Sequence, residues 1–154
     1  VADITWSDLT VRLADVLADL AVREQEIALV VSDQREPACF VQYACGGEGR
    51  PWAEVASNRF LPPDRQLTKQ DEKRLREGWT PPAGRWFRRT GQPNWSCDRF
   101  VEPQADHAQL AQRRQVLREI LRIDSPARLV YQAFAQLSGE PVTLDPAGLP
   151  RRED

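Results

Sequence analysis

The period of the apolar pattern changes after residue 22, and that change constrains the fold more than any other feature of the chain. Between residues 5 and 22, Trp6, Leu9, Leu13, Val16, Leu17 and Leu20 recur at spacings of three and four, which places them on one stripe of a helix. Thr5 or Ser7 can cap its start, and Asp8 suits the first turn. From residue 27 the runs become short and rich in β-branched residues: IALVVS (27–32), ACFVQYAC (38–45) and WAEVAS (52–57). The turns between them are QREP (34–37) and GGEG (46–49), and Gly46, Gly47 and Gly49 supply the positive φ that a tight reversal needs. Three strands joined by short turns imply an antiparallel meander. These glycines are not a phosphate loop, because no Gly-Lys-Ser/Thr follows and no helical pattern opens there.

Residues 58–66 leave the sheet at Pro62-Pro63. Residues 68–77 then read as a short, very polar helix: Thr68 caps it, Asp71 completes a capping box and Gly78 ends it. Its apolar grip is limited to Leu67, Leu75 and Trp79, so Leu75 and Trp79 are candidate residues for the interface of a homodimer. Residues 85–90 (RWFRRT) and 94–101 (NWSCDRFV) suggest a second hairpin. Residues 106–122 are helical, with Leu110, Ala111, Leu117, Ile120 and Leu121 on one side. Ser125-Pro126 is a cap with proline at the first helical position, and Leu129, Val130, Ala133, Phe134 and Leu137 give a final amphipathic helix up to Gly139. The expected fold is α+β, in the order α–β–β–β–α–β–β–α–α, with one antiparallel sheet of about five strands. It forms a single domain over residues 4–138, followed by a flexible C-terminal tail over residues 139–154 that carries prolines 141, 146 and 150.

Charge and composition narrow the function. The 154 residues hold 21 Lys+Arg and 23 Asp+Glu, a net charge of −2 that argues against a protein whose main task is holding nucleic acid. The one arginine–aromatic cluster, Arg85, Trp86, Phe87, Arg88 and Arg89, also fits an edge strand blunted by arginines. No run approaches the roughly 18 apolar residues of a membrane helix, so no membrane partner is expected. The N-terminus has no basic region followed by an apolar run, so no secretion signal is expected. Cys39, Cys45 and Cys97 are odd in number and contain no Cys-x-x-Cys pair, which suits a reducing, cytoplasmic compartment. They do not read as metal ligands with His107, since Cys39 and Cys45 bracket a strand that spans about 20 Å. No serine, cysteine or carboxylate stands in a triad relation to His107. No catalytic residue, metal or cofactor is expected, and an enzyme built on Asp98, Glu54 or His107 is the weakest reading.

Strand alternation supplies the candidate site. Cys39, Val41, Tyr43 and Cys45 share one face of the second strand, and Phe40, Gln42 and Ala44 the other. Ala53 and Val55 oppose Trp52, Glu54 and Ala56; Trp95, Cys97 and Val101 oppose Ser96, Asp98 and Phe100. The first set is the more apolar and should face the helices. The second mixes Phe40, Trp52 and Phe100 with Gln42, Glu54 and Asp98. Such a face is either half covered by the chain itself or a shallow surface that receives an extended segment. The candidate peptide-binding residues are Phe40, Gln42, Trp52, Glu54 and Phe100, with Trp86 beside them.

The runs ALVVSD (28–33), FVQYA (40–44) and AEVASNRFL (53–61) carry a resemblance, continued by Leu75, Gly78-Trp79 with Pro82, Asn94-Trp95 and LVYQAF (129–134). Over residues 4 to 138 the chain resembles the bacterial TY-Chap family, named for the type III secretion chaperones and the YbjN-like proteins. The resemblance implies a non-enzymatic protein that holds a peptide or a partly unfolded segment of another protein, and no catalytic residues to carry over. The secretion chaperones work as dimers; the alternative, motivated by the polar helix with Leu75 and Trp79, is a homodimeric structural or scaffold subunit of a larger assembly.

Overall fold

The computed structural model describes residues 4–48, 51–82, 93–97, 106–144 and 148–153. Helix α1 (Trp6–Ala21) begins at the expected cap: the Asp8 N–H donates to Thr5 Oγ1 and the Thr5 N–H to Asp8 Oδ2, both at 3.1 Å. Leu9, Leu13, Leu17 and Leu20 are its buried stripe. The meander follows as β1 (Ile27–Asp33), β2 (Phe40–Cys45) and β3 (Trp52–Val55). Gly46 ends β2 with φ +96°, where a Cβ would stand 2.5 Å from the Gln25 carbonyl oxygen and 2.7 Å from that of Leu20. The turn therefore closes against the link between α1 and β1, and only glycine fits there.

Helix α2 (Lys69–Leu75) forms where the capping box is written, with Thr68 and Asp71 bonding reciprocally. Strand β4 (Trp95–Cys97) lies inside the expected run 94–101, and the companion run 85–90 falls outside the described residues. The expected helix over 106–122 is two pieces, α3 (Asp106–Gln112) and α4 (Gln115–Glu119). Between them the backbone tightens: the N–H groups of Arg113, Arg114, Val116 and Leu117 each bond a carbonyl three residues back.

The final helix is a correction. Ser125 and Pro126 start a single 3-10 turn, Pro126–Arg128, and residues 129–135 are strand β5 (Leu129–Ala135). Both periods are written in LVYQAFA. The strand wins because β5 pairs along all of β1, from Ile27 opposite Ala135 to Asp33 opposite Leu129. That pairing buries Leu129, Tyr131, Ala133 and Ala135 together on one face. The sheet is antiparallel throughout, in the order β4–β3–β2–β1–β5.

One face of this sheet carries the core. Ile27, Leu29 and Val31 of β1, Val41, Tyr43 and Cys45 of β2 and Trp95 and Cys97 of β4 join the leucines of α1 and the apolar side chains of α3 and α4 in a single cluster. α1 packs on α3, and both α1 and α4 reach β2. The segment after Gly139, expected as a flexible tail, has partners along the outer edge of β5: Pro141 bridges Phe134 and Arg151 bridges Tyr131.

Candidate functional site

The face turned away from the helices is built by register. One row crosses all five strands: Gln132, Val30, Gln42, Glu54 and Ser96. Phe134, Ala28, Ala44 and Trp52 form the row on one side of it. Val130, Ser32 and Phe40 form the row on the other. In the first of these flanking rows, Phe134 and Trp52 are half-buried at the ends, while Ala28 and Ala44 between them are 0% and 1% exposed. Phe40, Gln42 and Glu54 are half-buried too. Phe40, Gln42, Trp52 and Glu54 therefore share this outer face, as their alternation requires. Phe100, Trp86 and Asp98 lie outside the described residues.

Ser96 lies on the same face, as its alternation requires, and so do Val30, Gln132 and Phe134, which the sequence reading did not place there. Gln132 and Phe134 were missed because residues 129–137 carry a helical period alongside the alternating one. The alternation of Val130, Gln132 and Phe134 against Leu129, Tyr131, Ala133 and Ala135 is the signal that would have found them.

Glu54 is the charged group of the row that crosses all five strands. Its Oε1 accepts from Asn94 Nδ2 at 3.2 Å, while Asn94 Oδ1 accepts the buried Ser57 N–H at 3.0 Å. Burial pushes the Glu54 carboxyl above its ordinary range, and the Asn94 hydrogen bond partly offsets that. A carboxyl held in this way can accept backbone N–H groups or, when protonated, donate to a backbone carbonyl.

The remaining described tryptophans are architectural. The Arg114 guanidinium carbon lies 5.2 Å from the Trp6 ring centre, that of Arg113 5.7 Å from Trp79, and that of Arg76 6.0 Å from Trp95. Leu75 and Trp79, the candidate dimer residues, are 1% and 5% exposed within the chain's own core. A second copy cannot reach them without opening that core, because Leu75 at the end of α2 and Trp79 just after it both pack into their own domain. Trp79 also borders a groove of about 500 Å³ between α2 and the α3–α4 pair, with Arg74, Gln112, Arg113 and Glu119 on its walls.

Cys39, Cys45 and Cys97 are all buried. Burial raises the Cys39 thiol to about 11 and the Cys45 thiol to about 12, so both remain protonated, small apolar side chains. Among the described residues no group of three or more His, Cys, Asp or Glu is placed to hold a metal ion.

This fold, helices on one face of a five-stranded antiparallel sheet and a mixed aromatic–polar face on the other, coincides with a family match. Residues 1–135 match the family described as TY-Chap3: T3SS (YopN, CesT) and YbjN peptide-binding chaperone 3, and the chain belongs to that family. No curated protein and no solved structure matches the chain. No helix among the described residues is long and apolar enough to cross a membrane.

Proposed function

We propose that the chain is a non-enzymatic peptide-binding chaperone that holds an extended segment of a partner polypeptide against the outer face of its sheet. The observation that carries this reading is the pair of rows in which Trp52 and Phe134 flank Ala28 and Ala44 beside the polar line Gln42–Glu54. The half-buried rings of Trp52 and Phe134 offer apolar contact to a side chain of the partner, and Gln42 and Glu54 offer hydrogen bonds to its backbone. Membership of a family described as peptide-binding supports the choice of a polypeptide as partner. The buried, protonated thiols suit a reducing cytoplasm. The homodimeric scaffold is the less supported reading, since the two side chains that motivated it are core residues.

The test uses a soluble peptide of alternating valine and threonine with a terminal lysine pair, labelled for fluorescence anisotropy. Trp52→Ala weakens binding at least tenfold and leaves thermal stability close to that of the unaltered chain. A loss of stability equal to that of Trp95→Ala, about 3–5 kcal/mol for a buried aromatic, would make Trp52 a core residue and remove the site.

A further inference from the structure

The outer edge of β5 is occupied by the chain itself. The Ala135 N–H donates to the Glu140 carbonyl at 2.9 Å and the Val142 N–H to the Ala133 carbonyl at 2.8 Å, as the chain turns back at Gly139. A second piece then returns along the same edge in the parallel sense. There the Tyr131 N–H donates to the Pro150 carbonyl at 3.0 Å, and the Arg152 N–H to the Tyr131 carbonyl at 2.8 Å. Two side chains anchor this piece. Leu149 is 7% exposed and joins the hydrophobic core. Arg152 reaches past the edge to β1, where its Nη2 donates to the Asp33 carbonyl at 2.6 Å and to Ser32 Oγ at 3.0 Å. Ser32 stands in the row that contains Phe40. Thus the C-terminal segment adds backbone to a strand edge, sinks an apolar anchor and places an arginine on the outer face, which is how a bound peptide uses a sheet edge.

Two further observations separate this piece from the body of the sheet. It lies beyond residue 135, where the family match ends. A cavity of about 160 Å³ also remains between it and β5, lined by Gln132, Phe134, Pro141 and Arg151, so its packing on that side is incomplete.

We infer that Leu149–Pro150–Arg151–Arg152 is a built-in ligand of the corner formed by Tyr131, Ser32 and Asp33. The corner accepts an extended partner segment with an apolar residue followed three positions later by arginine. Such a segment takes the edge by displacing the chain's own copy, and the tethered copy sets the threshold a partner must exceed. The inference goes beyond the sheet-face reading, because the β5 edge is occupied in this way whatever lies against Trp52.

The test uses the full chain and a fluorescein-labelled synthetic peptide of residues 148–153. In the Leu149→Ala, Arg152→Ala double variant the tethered copy is weakened. The peptide should bind this variant at least tenfold more tightly than it binds the unaltered chain. The Tyr131 amide should exchange at least tenfold faster in the variant, recover protection when the peptide is added, and do so with the amides of β1 to β3 unchanged. Equal binding to both chains, or no binding to the double variant with its sheet amides intact, overturns the inference. So does protection lost together across Tyr131 and β1 to β3, which would make the segment part of the fold's one cooperative unit. Should the double variant not fold, Arg152→Ala alone, which keeps Leu149 seated, decides the matter. At least threefold faster exchange confined to Tyr131 supports the inference, and unchanged exchange overturns it.

Discussion

Two carboxylates on strands separated by β2 meet opposite surroundings. Asp33, at the end of β1, has no exposed side-chain surface, yet it is saturated: Arg128 Nη2 donates to it at 2.6 Å, Arg65 stands at 3.6 Å, and the Arg35 N–H donates at 2.9 Å. It ties β1 to the loop after β3 and to the turn before β5. Asp33→Ala leaves Arg128 half-buried without that partner and should cost about 3–5 kcal/mol in urea unfolding; a change below about 1 kcal/mol, the level of an exposed pair, contradicts this role. Glu54 has Asn94 as its one hydrogen-bond partner among the described residues, and burial raises its pKa. For an acid raised in the folded state, the stability is whole below the unfolded value and falls as pH rises through the folded one. Glu54→Gln should therefore raise the melting temperature at pH 7, and the gain should vanish below about pH 4. A gain that grows on acidification refutes the assignment. Tyr43 shows a third case: its hydroxyl is buried with no hydrogen-bond partner among the described residues, and burial pushes its pKa up. Tyr43→Phe should stabilise the chain by about 1 kcal/mol in the same assay, and a loss would show that the hydroxyl is satisfied in solution.

At the scale of elements, β5 decides how much of the face exists. The N–H groups of Tyr131 and Ala135 point outward to the C-terminal segment, so by alternation that of Gln132 points inward to β1. Gln132→Pro breaks the β1–β5 ladder and should destabilise the chain by several kcal/mol, seen as an early urea transition; an unaltered midpoint would return residues 129–135 to the helical reading. The caps show what local sequence makes legible. Thr5 with Asp8 and Thr68 with Asp71 fixed two helix starts, because a capping box satisfies its own backbone within four residues. The glycines after β2 were equally local. By contrast, β5 depends on a partner strand about a hundred residues away, and a run that writes two periods at once cannot report which partner it finds. The break at Arg113 and Arg114 was hidden for the same reason. Arg113 Nη1 bonds the Gly78 carbonyl at 3.2 Å and Arg114 Nε bonds Thr10 Oγ1 at 2.7 Å, both distant in sequence.

At the scale of the whole molecule, the helices commit to one face of the sheet, and the other face is left to aromatic, amide and carboxyl side chains. Alternation alone placed Phe40, Gln42, Trp52 and Glu54 on that face. Its far end, Gln132 and Phe134, became visible only with β5 in place. Leu75 and Trp79 illustrate the converse: a sparse apolar grip on a polar helix reads as a surface waiting for a second copy, but two large side chains suffice to seat a helix of seven residues. The central claim is that the outer face, and not the groove between α2 and the α3–α4 pair, receives an extended polypeptide. The most direct measurement is a two-dimensional amide and indole NMR titration of the full chain with the valine–threonine peptide. Saturable shifts concentrated at Phe40, Gln42, Glu54, Phe134 and the Trp52 indole are the predicted result. Shifts concentrated at Trp79, Gln112 and Arg113, with the outer face unmoved, would contradict it.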